Sequence, residues 1–417
     1  MLSERTDDLE PEGEQQPRDV GVSSDRIAHA VRLLDDWVAK DLVPGVAAVV
    51  LRHGQVVARH FRGLAVSAAD KIEPRAVGPE TLFTLPSISK ALTATAFMLL
   101  VESGLVILDD LVTLFIPEFG KIGKDQIRVR HLLTHTSGLP DMLSNNDSLR
   151  KAHHGLPYFV RSAFRHELAF TPGTRISYSS TGYLMLAEIA ERVTRQPFPE
   201  FLAERLLRPI GLPTAGLRPA DALYPRIARL LLPEGRPPTS WDNNSPYWRQ
   251  LGAPWGGVYA TADELAAFGQ FVLDSRQPPR DPPGGPRDAR RADGLARSTG
   301  SSLRPVSAPA EPDVLLSPAA AQLMTRNQTK GIPPAADTLG AWGFGWELPV
   351  GQFGNWAGDF ASAETFGHHG ASGTMLWIDP IRQLVCVVLT NRVTNWSAEY
   401  RRFAAFSNAV QASVVGT

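Results

Sequence analysis

The chain has 417 residues, and its 42 lysines and arginines nearly balance 43 aspartates and glutamates, which gives a formal net charge of -1. This balance lacks the basic excess typical of nucleic-acid binding, and no apolar run reaches the roughly 18 residues that a membrane span needs. The single cysteine, Cys386, excludes an internal disulfide. It lies in an apolar run at 384–389, which predicts a buried structural thiol.

The N-terminal residues 1–21 are polar and acidic. They contain no apolar segment of the kind found in secretory signals, so we expect a disordered tail on a cytoplasmic protein. Ser24 or Asp25 can then cap a first helix, which apolar residues continue at helical spacing. Two β-rich runs follow, and the glycine-containing stretch at 52–55 between them predicts a hairpin turn.

The C-terminal part has a similar pattern, with strand-like runs at 374–380 and 383–391 and a last amphipathic helix at about 397–414. The segments between the two ends are rich in helical periods and turn signals. The sequence therefore predicts an α/β (α+β) fold, in which helices flank an antiparallel sheet built from both termini and a mainly helical lobe is inserted in the middle. Residues 22–417 would form this domain.

Residues 276–312 stand apart, because proline, glycine, serine and arginine dominate them and apolar residues are almost absent. This composition predicts a disordered surface insertion. An arginine-rich binding arm is the alternative, but the arginines alternate with acids and prolines.

The strongest chemical motif is Ser87-x-x-Lys90, preceded by Pro86 and followed by an apolar run at 91–101. Proline before the serine favours a helix start, and residues three apart on the first turn share a face. The apolar run implies a buried helix, and burial lowers the pKa of a lysine until it can accept a proton. The motif therefore predicts a nucleophilic serine with a lysine base.

The same spacing occurs again at Ser148-x-x-Lys151. That stretch is polar and no apolar helix follows it, so we interpret the second match as coincidence.

Several further segments occur in an order that resembles the serine β-lactamase-like, penicillin-recognising hydrolases, particularly the class C β-lactamase-like branch and its esterase relatives. These segments are FTLPSISKALTATAFMLLVESG, IRVRHLLTHTSGLP, ISYSSTGYLMLAEIAERVT, WGGVYATADELAAFGQFVL and FGHHGASGTMLWIDP. The resemblance spans residues from about 22 to the C-terminus. It implies a β-lactamase/transpeptidase-like fold and a serine hydrolase that works through an acyl-enzyme without a cofactor.

Carried over to this chain, the resemblance implies that Ser87 is acylated and Lys90 assists proton removal. Tyr178 would be the second base and would serve the deacylating water. Its pKa would otherwise be about 10, but a cationic lysine beside it favours the phenolate.

The resemblance also implies a set of oxyanion and substrate-binding groups. The backbone N–H groups of Ser87 and Ala371 would form the oxyanion hole, and His368, His369 and Gly370 would line the opposite side of the cleft. Ser180 takes the place of the asparagine in the family's Tyr-x-Asn motif.

A second departure concerns charge, because His368 and His369 replace the lysine and threonine of the Lys-Thr-Gly motif. That lysine helps to hold the substrate carboxylate in β-lactamases, whereas a histidine is only partly charged at pH 7. His-x-Gly resembles the pattern in esterases, amidases and aminopeptidases of the family. We therefore expect a small ester or amide substrate, hydrolysed far better than penicillins or cephalosporins. Lowering the pH toward 6 should raise the activity on an anionic β-lactam relative to a neutral ester.

Other functions stay open at this point. A D-alanyl-D-alanine-type peptidase or weak β-lactamase would use the same residues, and a non-catalytic acyl-ligand-binding or scaffold protein is an alternative of another class. His131 and His135 have the i, i+4 spacing of a zinc pair, but no third ligand is evident, so we predict no metal site. The sequence indicates no oligomeric state.

Overall fold

The structure is a computed structural model that describes residues 16–67, 72–233, 237–278, 315–335, 340–349 and 355–416, without the side chains of 396–398. Most of the predicted N-terminal tail and of the predicted insertion lies outside these residues. The described part of the tail forms a 3-10 helix, Pro17–Val20, and Gly21 accepts a backbone hydrogen bond from Val415. Arg276, the first residue of the predicted insertion, is held by Thr325 and Glu364.

Strands from the two ends of the chain are hydrogen bonded to each other in one antiparallel sheet. The strands are β1 (Gly45–Arg52), β2 (Gln55–Val66), β3 (Arg75–Ala76), β4 (Phe83–Thr84), β5 (Tyr259–Ala260), β6 (Ala341–Trp342), β7 (Glu347–Leu348), β8 (Phe366–Gly370), β9 (Thr374–Asp379) and β10 (Leu384–Thr390). Within the described residues the sheet order is β3-β2-β1-β10-β9-β8-β7-β6, and β4 pairs with β5 separately. The predicted fold class is confirmed.

The β1–β2 hairpin explains how the N-terminal strands take their register. His53 and Gly54 both have positive φ, 50° and 77°, which is the backbone of the tight primed turns that match strand twist. The predicted turn at 52–55 is therefore confirmed. On its other edge β1 pairs with β10 along its whole length, from Val46 opposite Thr390 to Arg52 opposite Leu384.

Helices cover both faces of the sheet and fill the middle of the chain. They are α1 (Ser24–Ala39), α2 (Ile88–Glu102), α3 (Val112–Phe115), α4 (Val129–Leu133), α5 (Asn146–Lys151), α6 (Leu156–Ala163), α7 (Ser180–Thr194), α8 (Phe198–Leu202), α9 (Pro246–Leu251), α10 (Ala262–Ser275), α11 (Pro318–Met324) and α12 (Trp396–Ala412). The N-cap of α1 is Ser23, one residue before the first predicted candidate. In the described part of the chain, no helix combines the length and apolar character needed to cross a membrane.

The alternation of strand side chains divides the apolar core into two layers. On one face, α1 and α12 pack on β1 and β10, and the ring centroids of Trp37 and Phe403 are 5.1 Å apart. On the other face, α10 packs on the same strands and joins the core of the helical lobe. Cys386 is buried within the first layer, as predicted.

Helix α2 lies inside the molecule, because each of its residues from Ile88 to Met98 is buried. It packs against α7 of the helical lobe and against β8 and β9 of the sheet. Its N-terminus therefore lies where the lobe meets the sheet. This position decides which other segments can reach Ser87.

Candidate active site

Ser87 occupies a strained turn immediately before α2. Its φ of 63° and ψ of -37° lie in a region that side chains rarely adopt, and the N–H of Ile88 donates to the carbonyl oxygen of Pro86 across it at 2.8 Å. This is the geometry of the rare γ-turn with positive φ. Such strain persists only where the surroundings enforce it, and it is most frequent at functional sites.

The buried Lys90 is hydrogen bonded to this serine. Its Nζ lies 3.3 Å from Ser87 Oγ and donates to the carbonyl oxygen of Trp255 at 3.1 Å. Burial lowers the pKa of Lys90 to about 7, while the carboxylate of Asp141 acts in the opposite direction. The lowered pKa makes the neutral form of the lysine accessible near physiological pH, and this form can accept the serine proton.

The segment 254–258 holds the start of α2 in place. Thr93 Oγ1 donates to the carbonyl oxygen of Pro254 at 2.7 Å, and the N–H of Val258 donates to Ser89 Oγ at 3.0 Å. Gly256 lies against Ser87, because a methyl group added to it would be 3.6 Å from the Ser87 nitrogen. Residues 255–258 of this segment belong to the glycine-rich motif noted in the sequence, whose pattern alone indicates none of these contacts.

Tyr178, just before α7, lies beside both residues. Its hydroxyl is hydrogen bonded to Ser87, and Lys90 Nζ is 4.6 Å from its ring centroid. Burial and the nearby Asp141 raise the pKa of Tyr178 well above its ordinary value, although the bond with Ser87 lowers it. The expectation that Lys90 makes this tyrosine a phenolate is therefore wrong, and the phenol keeps its proton.

Asp141 is a site residue that the sequence analysis did not identify. Its Oδ1 accepts the Ser180 N–H at 2.9 Å, and its backbone oxygen accepts the Thr181 N–H at 3.0 Å. These bonds fix the start of α7 and place a carboxylate near Lys90 and Tyr178. Asp141 and Ser180 also line one small recess, together with Leu143, Phe159, Leu184, Trp255 and their neighbours.

The end of β8 lies directly against the backbone before Ser87. A methyl group added to Gly370 would be 1.9 Å from the carbonyl oxygen of Pro86, and Ser372 Oγ donates to the carbonyl oxygen of Thr84 at 3.4 Å. Ala371 lies between these two contacts and is exposed. Ala371 is therefore close in sequence to the Gly370 contact with Pro86, as an oxyanion pair of the Ser87 and Ala371 N–H groups would require.

The two histidines of β8 have different surroundings, because successive strand side chains lie on opposite faces. The ring of His368 is 6.2 Å from that of Tyr178, whereas His369 Nδ1 is 3.0 Å from Glu347 Oε2 and its ring is 5.6 Å from Trp356. Of the two histidines expected to line the cleft, His368 therefore lies beside Tyr178, whereas His369 lies beside Glu347 and Trp356.

Protonation of His368 is strongly disfavoured. The side chain is 1% exposed, and its Nδ1 is 2.8 Å from the carbonyl oxygen of His369. Burial, followed by the charge of Lys90, holds the pKa of His368 well below its ordinary value. The expectation that lowering the pH toward 6 charges this residue is therefore wrong.

His131 and His135 do not form the helical pair that their spacing suggests. Helix α4 ends at Leu133, and His135 adopts a left-handed conformation with φ of 60°. Each Nδ1 accepts a backbone N–H, from Arg128 and Ser179 respectively. Within the described ranges, no group of three acidic, histidine or cysteine side chains could hold a metal ion.

The second match to the serine–lysine spacing has surroundings that differ from those of Ser87 and Lys90. Ser148 and Lys151 are both exposed on the short helix α5. Neither has the burial that lowers the pKa of Lys90.

Comparisons with known proteins agree with the fold. The family model described as Beta-lactamase matches residues 31–409. Penicillin-binding protein 4 of Amycolatopsis lactamdurans is 28% identical over 379 residues, covering 87% of this chain and 85% of that protein. Esterase EstB of Burkholderia gladioli is 31% identical over 217 residues, which cover 48% of this chain and 54% of the esterase.

Solved structures show the same architecture. A penicillin-binding protein homolog from Caulobacter crescentus superposes with a TM-score of 0.72 at 22% identity, over 94% of this chain and 99% of that one. A family VIII carboxylesterase superposes with a TM-score of 0.69 at 17% identity, over the same shares of the two chains. With the family match across residues 31–409, these findings establish that the chain belongs to the beta-lactamase family.

Proposed function

We propose that this protein is a serine hydrolase that forms an acyl-enzyme on Ser87 from a small ester or amide lacking a carboxylate. The observation that carries the proposal is the 3.3 Å approach of Lys90 Nζ to the oxygen of a serine held in a strained turn. Burial brings the pKa of that lysine to about 7. A nucleophile with an adjacent base of matched pKa is the arrangement that acyl transfer needs.

In the first step, Ser87 Oγ bonds to the substrate carbonyl carbon while its proton passes to neutral Lys90. The N–H groups of Ser87 and Ala371 would bind the resulting oxyanion. The tetrahedral intermediate then expels the alcohol or amine, which takes up the proton. In the second step, water attacks the acyl carbon while Tyr178 relays a proton of the water to Lys90. The bond between the acyl carbon and Ser87 Oγ then breaks, Lys90 returns the proton to Ser87 Oγ, and the carboxylic acid leaves.

The absence of a charged histidine at 368 favours the ester or amide over an anionic β-lactam. A charge-assisted hydrogen bond contributes about 1.5–3 kcal/mol, so its loss weakens binding of a carboxylate roughly ten- to hundredfold. The names of two relatives support a second candidate, a D-alanyl-D-alanine-directed peptidase, since they are a penicillin-binding protein and a putative D-alanyl-D-alanine carboxypeptidase of Escherichia coli.

A substrate panel tests the proposal. Wild type, Ser87→Ala and Ser148→Ala are assayed on short activated esters, D-alanyl peptides and penicillins. We expect fastest turnover of the esters, loss of turnover in Ser87→Ala and unchanged turnover in Ser148→Ala. Preference for D-alanyl peptides would select the second candidate, and no turnover of any substrate by the wild type would favour a non-catalytic binding protein.

A further inference from the structure

His135 holds the backbone on both sides of Tyr178. Its carbonyl oxygen accepts the N–H of Ser177 at 2.8 Å, and its imidazole Nδ1 accepts the N–H of Ser179 at 3.0 Å. The two neighbours of Tyr178 are therefore both hydrogen bonded to His135, Ser177 to its backbone and Ser179 to its side chain. No rotation of the Tyr178 backbone can occur without breaking one of these bonds.

The imidazole also supports the tyrosine ring directly. The rings of His135 and Tyr178 are stacked with centroids 4.5 Å apart and an angle of 29° between their planes. Trp342 packs edge-on against the imidazole at 4.3 Å. Lys90 Nζ lies 4.6 Å from the centroid of the Tyr178 ring. The stacked imidazole therefore supports the ring that the lysine contacts, and its centroid is nearer to that ring than those of Trp342 and His368 are.

The backbone conformation of His135 is unfavourable, and contacts elsewhere in the fold must offset its free-energy cost. Its φ of 60° lies in the left-handed region, which costs an L-residue with a side chain about 1–2 kcal/mol. The side chain is fully buried, and since Nδ1 accepts a hydrogen bond, the ring proton is on Nε2. Burial and the charge of Lys90 hold its pKa well below the ordinary value, so the neutral ring adds no positive charge to the site.

We propose that His135 is a positioning residue that acts on the reaction through Tyr178, by bonding the backbone on both of its sides and by stacking on its ring. This inference rests on the proposed function, because it assigns Tyr178 a part in proton transfer. It differs from a general structural role in one respect: the contribution of His135 to the rate should vanish when the tyrosine hydroxyl is absent.

Three substitutions separate the two kinds of contact. His135→Asn keeps an acceptor at the position of Nδ1 and tolerates the left-handed backbone, but it removes the ring. His135→Phe keeps the stacked ring and leaves the Ser179 N–H without its acceptor. His135→Ala removes both contacts, and we expect it to lower kcat about 10- to 100-fold with KM changed less than about threefold. The other two variants should lie between His135→Ala and the wild type.

A double-mutant cycle with Tyr178→Phe gives the decisive readout. We expect His135→Ala to change kcat by less than about twofold in the Tyr178→Phe background. Fluorophosphonate labelling reports only the attack by Ser87, in which Tyr178 has no assigned part, so its rate constant should change by less than about twofold in both backgrounds. An equal loss in both backgrounds, or wild-type kcat in all three His135 variants, would overturn the inference. His131→Asn is the matched control, because it removes a partly buried imidazole four residues earlier in the chain while keeping an acceptor for the Arg128 N–H.

The labelling readout keeps this inference separate from the proposed function. If wild-type Ser87 does not label at all, the proposed function fails. If Ser87 labels and the cycle is additive, only the role of His135 fails. Melting temperatures of all variants exclude unfolding as the cause of a lost rate.

Discussion

Gly370 packs so tightly against Pro86 that a methyl group on its Cα would lie 1.9 Å from the carbonyl oxygen of that proline. This contact joins the end of β8 to the turn that carries Ser87. It also fixes the distance between Ala371 and the nucleophile. The proposed oxyanion pair of Ser87 and Ala371 therefore depends on the absence of a side chain at position 370.

We accordingly expect Gly370→Ala to force β8 away from Pro86. The overpacking should lower the free energy of unfolding by about 1–3 kcal/mol and reduce acylation of Ser87. Thermal unfolding and ester turnover measure the two effects. Gly256→Ala is the control for stability, because its methyl group would lie 3.6 Å from Pro86 Cα, an ordinary contact. Equal melting temperatures for the two variants would contradict the close approach.

The pKa of Lys90 predicts the pH dependence of acylation. Burial lowers this pKa to about 7, and the neutral amine is the form that accepts the serine proton. Because raising the pH removes the proton, kcat/KM for a neutral ester should rise through about pH 7 and then level off. A rate that is flat between pH 5.5 and 8.5 would show that Lys90 is not the titrating base.

Removing the charge of Asp141 should move the rise of kcat/KM with pH to lower pH. The carboxylate raises the pKa of Lys90, so Asp141→Asn should shift the rising limb of kcat/KM to lower pH. Asparagine keeps an oxygen that can accept the Ser180 N–H, so the start of α7 is preserved. Asp147→Asn, on the exposed helix α5, is the control and should leave the profile in place. A shift to higher pH would contradict the electrostatic argument.

Substrate charge gives a further prediction. Because the pKa of His368 is held well below its ordinary value, this residue stays neutral at pH 6 as well as at pH 8. The ratio of kcat/KM for a carboxylate-bearing penicillin to that for a neutral ester should therefore stay low and nearly constant over this range. Titration of Lys90 affects both substrates and cancels in the ratio. A ratio that climbs about tenfold toward pH 6 would indicate a protonated histidine in the site.

The features predicted correctly from the sequence depend on near neighbours. Ser87 and Lys90 are three residues apart at the start of α2, and the burial of α2 follows from its continuous apolar run. The predicted helical conformation of Ser87 itself is wrong, because Ser87 occupies the turn before the helix. The β1–β2 hairpin likewise follows from the turn residues themselves. In each case the local pattern and the tertiary structure favour the same conformation.

The features that the sequence did not predict depend on distant contacts. His131 and His135 have the spacing of a metal-binding pair on a helix, but α4 ends at Leu133, so the two residues do not share a helix. Asp141 becomes a site residue through bonds to a helix that begins 39 residues later. The low pKa of His368 follows from its burial and from the charge of Lys90, and a strand pattern reveals neither.

The central claim, that Ser87 is the nucleophile, is tested most directly by locating the site of covalent labelling. The wild type is treated with a fluorophosphonate, digested, and analysed by mass spectrometry. We predict one phosphonate per chain on the peptide that contains Ser87, no label on Ser148, and no labelling of the Ser87→Ala variant. Full labelling of that variant, or a label on any other residue of the wild type, would contradict the account.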